Sequence, residues 1–184
     1  MGECLPQRYL VALGSNRRHA RHGAPRAVIR AAARALHDHG LHVASLAPVT
    51  DSNPLGPSLR RYANTVAIIE SALNPPDLLA TLKSIEREFG RRARGQRWTA
   101  RVLDLDIVLW SGGAWRSRSL TIPHPAFRQR DFVLVPALKL ARNWRDPLTG
   151  LTIGHLAARL TRRHTTPRWA TRHPLGAKPK CRGP

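Results

Sequence analysis

One stretch of this chain constrains its fold and chemistry more than any other. It spans residues 101–110 and has the sequence RVLDLDIVLW. Side chains alternate along a β-strand, so one face consists of Leu103, Leu105, Ile107 and Leu109. Asp104 and Asp106 share the opposite face, which becomes apolar again at Val108 and Trp110. Two residues of strand span about 6.6 Å, so both carboxylates can reach one small ligand.

Two carboxylates held side by side need a counter-charge, because like charges repel strongly where water is excluded. Divalent cations supply that charge, and pairs of them about 3.5–4 Å apart are common in phosphoryl transfer. The chain has 11 acidic residues, and two of them lie here next to arginines. Asp104 and Asp106 are therefore candidate metal ligands. The alternative is a solvent-exposed edge strand whose aspartates bind nothing.

The charge and composition restrict the partners. Lys and Arg number 31, and the formal net charge is +20. This excess favours an anionic ligand (nucleic acid, membrane surface or polyphosphate), although an arginine-rich solvated surface gives the same count. The two cysteines lie near the termini without zinc spacing, and no apolar run approaches the roughly 18 residues of a membrane span. The N-terminus lacks a secretory pattern, so we expect a cytoplasmic protein.

Apolar periodicity predicts the element order β-α-β-β-α-β. The predicted strands are 9–13, 41–49, 64–70 and 101–110, and the predicted helices are 25–36 and 75–89. Asn74 is the expected N-cap of the second helix, and Gly90 its expected exit. This order is that of the ferredoxin-like split βαβ fold, so we expect an α+β protein with a mainly antiparallel sheet and helices packed on one face. Further helices are expected over 136–141 and 152–160.

The composition also predicts a domain boundary. Residues 1–161 form one expected domain, whereas residues 162–184 contain seven Lys or Arg, four prolines and no acidic residue. A segment of that composition buries too little apolar surface to offset the entropy of ordering. We therefore expect a disordered basic tail.

An arginine-rich segment precedes the aspartate strand. It contains Arg91, Arg92, Arg94, Arg97 and Arg101 and no acidic residue. Guanidinium groups match phosphate oxygens, so the segment and the aspartates together predict a polyphosphate substrate. A solvated run of charge is the alternative. The chain has no P-loop consensus, so a nucleotide would be held by arginines and metal instead.

Four other residues are candidates for ligand contacts. His124, between two prolines, could contact phosphate, and Trp98 could stack on a planar ring. Tyr62 and Asn64 begin a strand beside a rigid loop and could form a pocket for a flat heterocycle. Each residue has a purely structural alternative: a rigid turn, a loop anchor or an ordinary turn-to-strand position.

In order and spacing, the motifs from residue 9 to residue 160 resemble those of the 6-hydroxymethyl-7,8-dihydropterin pyrophosphokinase family. They are Leu13-Gly-Ser-Asn16, Pro54-Leu-Gly56, Tyr62-Ala-Asn64, Glu86 with Gly90-Arg91, Arg97-Trp98, Arg101-Val-Leu-Asp-Leu-Asp106, Leu120-Thr-Ile-Pro-His-Pro125 and Arg130-Asp-Phe132. The aspartate strand followed by Thr-Ile-Pro-His-Pro is the most specific part. The resemblance implies transfer of diphosphate from ATP to the hydroxymethyl group of 6-hydroxymethyl-7,8-dihydropterin, with release of AMP, in folate biosynthesis.

The resemblance also implies roles for individual residues. Its catalytic residues are Arg91, Arg101, Asp104 and Asp106, and the two aspartates would bind two Mg2+ ions. Its ATP-binding residues are Glu86, Arg97, Trp98, Ile107, Thr121, His124 and Arg130. Its pterin-binding residues are Ser52, Asn53, Leu55, Tyr62, Asn64 and Phe132. Two residues depart from the family pattern. Some members have an arginine where this chain has Ser119, and Pro125 cannot make an aromatic or hydroxyl contact.

ATP and a reduced pterin are thus the expected partners of a monomeric chain, with no membrane and no specific nucleic acid. The competing interpretation is a basic ferredoxin-like nucleic-acid-binding module, which the net charge suggests. An RNA-binding module of this fold would carry aromatic residues on its central strands. Here the aspartates would repel a phosphate backbone unless a metal intervened.

Overall fold

The computed structural model describes residues 6–52, 61–90 and 102–165. These residues form seven strands, four α-helices and one 3-10 turn at Phe127–Gln129. The strands are β1 (Gln7–Ser15), β2 (His42–Leu46), β3 (Thr50–Ser52), β4 (Tyr62–Ser71), β5 (Asp104–Trp110), β6 (Trp115–Arg116) and β7 (Thr121–Ile122). The helices are α1 (Pro25–Asp38), α2 (Pro75–Glu88), α3 (Asp131–Ala141) and α4 (Ile153–Thr165).

The central sheet is antiparallel, as predicted, with the strand order β2-β4-β1-β5. β3 pairs with the beginning of β4 and continues the edge that β2 starts. The predicted strand 41–49 is therefore divided in two, because Pro48 cannot donate a ladder hydrogen bond. β6 and β7 form a separate two-stranded sheet.

The ends of α2 confirm the predicted capping. The Asn74 side chain accepts a hydrogen bond from the backbone N–H of Asp77 at 3.0 Å, and Pro75 opens the helix. Gly90 follows the helix with a φ of 82°, a conformation that favours glycine. α2 thus ends just before the arginine-rich segment.

Helices cover both faces of the sheet, so the expectation of helices on one face is wrong. α1 and α2 pack on the side to which Tyr9, Val11 and Leu13 project; we call this side the α1/α2 face. α3 and α4 pack on the opposite side, the α3/α4 face, against Leu10, Val66, Ile68, Val108 and Leu109. The signal was present in the sequence, since β1 and β4 are apolar at consecutive positions, which is typical of strands buried on both sides.

A β-bulge at Val108 changes the orientation of the end of β5. Val11 of β1 pairs with Ile107, but Leu10 pairs with Leu109, so Val108 is an extra residue. Asp104 and Asp106 keep their predicted face. Leu109 and Trp110 do not, because Leu109 joins the α3/α4 core and Trp110 stacks on Tyr9 with ring centroids 6.3 Å apart.

The last two helices differ from the prediction in their bounds. α3 begins at Asp131, five residues before the expected start, and contains Pro136 in its interior. Burial of Val133, Leu134 and Ala137 compensates for the interior proline. α4 continues to Thr165, so the predicted boundary at 161/162 falls within a helix. Residues 166–184 lie outside the described residues. Among the residues that the structure describes, no helix is long and apolar enough to cross a bilayer.

Candidate active site

The two aspartates of β5 lie where the α3/α4 face ceases to be apolar. Asp104 pairs with Gly14 of β1, and Gly14 pairs on its other side with Asn64 of β4. Ala12 takes the same place between Asp106 and Val66. Neighbouring strands are about 4.8 Å apart, so Asn64 and Asp104 are separated by about 10 Å of sheet without a side chain between them. The result is a shallow trough with an amide at one side and two carboxylates at the other.

Two basic side chains approach Asp106. His124 Nε2 is 4.0 Å from Asp106 Oδ2, and Arg130 Nη1 is 3.7 Å from the same oxygen. Burial lowers the pKa of His124, Arg130 adds to this effect, and together they outweigh the Asp106 carboxylate, which raises the pKa. His124 is thus mainly neutral at pH 7. Its Nδ1 accepts the backbone N–H of Ala126 at 3.2 Å, which leaves the proton on Nε2, facing Asp106.

A buried ion pair anchors the segment that carries His124 and Arg130. Arg128 donates through Nε and Nη2 to both oxygens of Asp146, at 2.7 and 2.8 Å. Asp146 is fully buried and also accepts from the Leu148 N–H and the Thr149 hydroxyl. Burial raises the pKa of Asp146, but these hydrogen bonds outweigh it and hold the pKa below its usual value. Sequence analysis missed this pair, although the Asp-Pro-Leu-Thr-Gly sequence at 146–150 is typical of a turn.

Four of the predicted pterin-binding residues lie at the same end of the sheet. Asn64 is 5% exposed, and its Nδ2 donates to Ser52 Oγ at 2.7 Å. Tyr62 and Asn64 are two residues apart on β4 and therefore project to the same face. Phe132, in the first turn of α3, is partly buried against that face. These residues could enclose a flat ring, with the Asn64 amide at its edge.

Glu86, a predicted ATP-binding residue, approaches β5 from α2. Its carboxylate is fully buried, accepts the Leu105 N–H at 2.8 Å and binds Lys83 Nζ at 2.9 and 3.0 Å. Leu105 lies between the two aspartates, so Glu86 fixes the backbone that carries them.

The other described ATP-binding candidates lie on or beside the outer edge of β5. β5 is the last strand of the sheet, and the His124 N–H donates to the Val108 carbonyl at 3.0 Å. Ile107 lies between this contact and that of Glu86, with its side chain buried. Thr121 is exposed on β7, which packs beside β5.

Six predicted site residues lie outside the described residues. They are Arg91, Arg97, Trp98 and Arg101 of the arginine-rich segment, together with Asn53 and Leu55. The described residues bring the aspartates, His124, Arg130 and the pterin-side residues Ser52, Tyr62 and Asn64 together at one end of the sheet, and Glu86 holds β5 between the aspartates. Ile107 and Thr121 lie farther along, on β5 and on the neighbouring β7.

A protein-family model described as 7,8-dihydro-6-hydroxymethylpterin-pyrophosphokinase (HPPK) matches residues 10–142. The chain belongs to the HPPK family. This confirms the predicted family, and the match spans the whole trough from Ala12 to Phe132. HPPK is an ATP-dependent pyrophosphokinase of folate synthesis, so the nucleic-acid-binding alternative is not favoured.

Three relatives carry the name 2-amino-4-hydroxy-6-hydroxymethyldihydropteridine pyrophosphokinase. The Pseudomonas aeruginosa protein is 40% identical, over 77% of this chain and 85% of its own length. The Haemophilus influenzae protein is 39% identical, over 71% and 79%. The Synechocystis protein is 42% identical, over 55% of this chain and 52% of its own length, so that match spans about half of the relative.

The crystal structure of Plasmodium falciparum HPPK-DHPS has the same fold. It superposes with a TM-score of 0.67 over 86% of this chain and 42% of its own. Its sequence identity is 12%, so this likeness concerns the fold alone. It confirms the predicted α+β ferredoxin-like class.

Proposed function

We propose that this chain catalyses the HPPK reaction itself: transfer of diphosphate from ATP to the hydroxymethyl group of 6-hydroxymethyl-7,8-dihydropterin, with release of AMP. The observation that carries the proposal is the row formed by Asn64, Gly14 and Asp104 on the α3/α4 face. A buried amide at one end suits the polar edge of a heterocycle, and the carboxylates at the other suit cation-bound phosphates. The separation of about 10 Å suits a bicyclic ring with a short arm between them.

Asp104 and Asp106 fit Mg2+ by the chemistry of their donor atoms. Mg2+ prefers oxygen ligands and usually combines one or two carboxylates with water and substrate phosphates. Phosphate oxygens of ATP and water would supply the remaining ligands. We propose that the two aspartates hold two Mg2+ ions. When bound, these ions would neutralise phosphate charge and orient the reacting oxygens.

Arg130 and His124 are the proposed phosphate contacts of the described residues. The Arg130 guanidinium is within 3.7 Å of Asp106, so a phosphate bound at the aspartates comes within its reach. The His124 Nε2–H faces the same place and can donate to a phosphate oxygen. Arg91, Arg97, Trp98 and Arg101 are proposed to complete the ATP site from outside the described residues.

We propose that the nucleotide base lies along the outer edge of β5. An edge strand presents backbone N–H and C=O groups with which a purine can pair. Glu86 and His124 contact this edge at Leu105 and Val108, and Ile107 lies between them. Thr121 is exposed close by.

Ser52, Tyr62, Asn64 and Phe132 are the proposed pterin pocket, with Asn53 and Leu55 outside the described residues. Because Asn64 Nδ2 donates to Ser52 Oγ, the orientation of the amide is fixed before substrate arrives. Tyr62 and Phe132 offer aromatic faces on one side of the sheet between which a ring can stack.

In this mechanism the chain binds, orients and neutralises charge. The pterin hydroxyl attacks the β-phosphorus of ATP, the bond from that phosphorus to the oxygen bridging to the α-phosphate breaks, and AMP leaves with that oxygen while the hydroxyl proton passes to water or a phosphate oxygen. Arg130 and the Nε2–H of His124 would stabilise the charge that develops on the phosphates. No strong general base is required of the protein. The predicted monomeric state and cytoplasmic location stay predictions.

The test is a product assay with purified protein, ATP, magnesium and 6-hydroxymethyl-7,8-dihydropterin. We expect AMP and the pterin diphosphate in equal amounts, and no AMP when pterin is omitted. Formation of ADP in place of AMP would indicate transfer of a single phosphoryl group. Either that result or the lack of any product would contradict the proposal.

A further inference from the structure

Gly14 lies between Asn64 and Asp104, in a strand where its backbone does not require a glycine. Its φ is outside the left-handed region, so any residue could adopt this conformation. Five other glycines do have positive φ values: Gly23, Gly40, Gly90, Gly113 and Gly150. The reason for a glycine at position 14 is therefore the lack of room for a side chain, and not the backbone conformation.

The amide of Asn64 occupies the space that a side chain at position 14 would need. A Cβ added at Gly14 would lie 3.2 Å from Asn64 Oδ1, tighter than nine in ten real Cβ contacts. No other described atom outside its chain neighbours lies within 4 Å of that Cβ, so Asp104 would not be touched directly. Asn64 cannot easily retreat, because it is buried and its Nδ2 is held by Ser52.

We propose that Gly14 is a positioning residue for the heterocycle and acts through Asn64. Without a Cβ in the way, the carbonyl oxygen of Asn64 leans over β1 while Ser52 holds the amide nitrogen. The amide is thereby fixed with its oxygen towards the trough, where the polar edge of a flat, nitrogen-rich ring would be recognised. This inference rests on the proposed function, since it assumes that Asn64 contacts the pterin.

The direct test is Gly14→Ala, with Gly154→Ala as the matched control. The control adds a Cβ equally close to a neighbour, 3.3 Å from Arg142 Cγ, but in α4 and against a flexible side chain. We expect Gly14→Ala to raise the KM for pterin about tenfold, the cost of one misplaced buried hydrogen bond, with the Kd of ATP within about twofold of wild type. Gly154→Ala should change neither constant. A Gly14→Ala variant with an unchanged pterin KM overturns the proposal.

A double-mutant cycle separates action through Asn64 from a general disturbance. In an Asn64→Ala background the added Cβ has nothing to displace, so Gly14→Ala should alter the pterin KM by less than about twofold. An equal increase in both backgrounds overturns the proposal. If Gly14→Ala alone does not fold, Asn64→Ala must restore folding, and failure to restore it also overturns the proposal.

The wild-type assay distinguishes this inference from the proposed function. A wild type that forms no AMP contradicts the function, whereas an active wild type with an unaffected Gly14→Ala variant contradicts the role of Gly14 alone.

Discussion

The two faces of the central sheet belong to the same strands but differ in the residues they present. The α1/α2 face is apolar across the middle of the sheet, where its β1 and β5 residues are at most 2% exposed: Tyr9, Val11, Leu13, Leu105 and Ile107. The α3/α4 face is apolar in one half only. Its other half consists of small and polar residues: Ala12, Gly14, Asn64, Asp104 and Asp106.

This difference shows how a small sheet can carry a site without losing its core. Because side chains alternate, one residue step along β5 moves from a buried leucine to a candidate metal ligand. The α1/α2 face anchors each strand, and Glu86 adds a hydrogen bond to the backbone between the aspartates. The other face is therefore free to place polar groups next to one another. Stability and activity should respond separately to substitutions on the two sides.

The largest expected effect is that of the aspartates. Asp104→Asn or Asp106→Asn should lower turnover about a thousandfold, near 4 kcal/mol of transition-state stabilisation, because each removes a charged ligand of the metal. The melting temperature should change little, since both side chains are partly exposed. AMP formation and thermal unfolding measure the two quantities. Near-wild-type turnover in both variants at saturating magnesium would contradict the metal-ligand assignment.

Leu105→Ala tests the opposite side of the same strand. Leu105 is fully buried between the two aspartates but faces α1 and α2, so its truncation should lower the free energy of unfolding by about 3 kcal/mol. Turnover per folded molecule should remain within a few fold of wild type. Urea unfolding measures the first and a low-temperature assay the second. Val135→Ala, at a 49% exposed residue, is the control and should change stability by less than about 0.5 kcal/mol. If Leu105→Ala lost as much turnover as Asp106→Asn while its stability stayed unchanged, the proposed difference between the two faces would be wrong.

Asp146→Asn tests the anchor beneath the site. Removing one charge of a buried pair should cost about 3 kcal/mol at pH 7. Because the native pKa of Asp146 is lowered, its contribution is complete above the unfolded pKa and is lost as the pH falls through the native pKa. The stability difference between wild type and variant should therefore shrink as the pH falls below about 4.

Asp51→Asn is the matched control for that experiment. Its partner Arg26 donates to Asp51 and lowers its pKa, but the pair is largely exposed. Its loss should cost under about 1 kcal/mol. Equal losses for Asp51→Asn and Asp146→Asn would show that burial does not govern these pairs.

The smallest expected effect is that of the C-terminal segment, which lies outside the described residues. Deleting residues 166–184, after the end of α4, should leave the melting temperature and the pterin KM nearly unchanged, because this basic segment has little apolar surface to bury. A truncated chain that fails to fold would place the segment within the domain.

Local patterns predicted much of this structure, whereas long-range packing remained hidden. Alternation put Asp104 and Asp106 on one side of β5, and the Asn74 cap was visible in the sequence. The bulge at Val108 was not, because any residue of its apolar run could have been the extra one. The ion pair between Arg128 and Asp146 was equally hidden, since it joins segments that only the fold brings together.

The site shows the same division. Asn64 and the aspartates were identified as candidates from residue type, motif and resemblance. The predicted split βαβ fold already places β1 between β4 and β5. The register that aligns Asn64, Gly14 and Asp104 could not be predicted, because it depends on how far each strand is shifted along its neighbour.

The most direct test of the account is to count metal ions bound with nucleotide. Manganese can replace magnesium, and its paramagnetic resonance reports free and bound ions in the presence of a non-hydrolysable ATP analogue. We predict two bound ions per chain in the wild type, and loss or strong weakening of binding in both Asp104→Asn and Asp106→Asn, with Leu105→Ala unchanged. If both aspartate variants bind the same number of ions as tightly as the wild type, the α3/α4 face is not the metal site and the account is wrong.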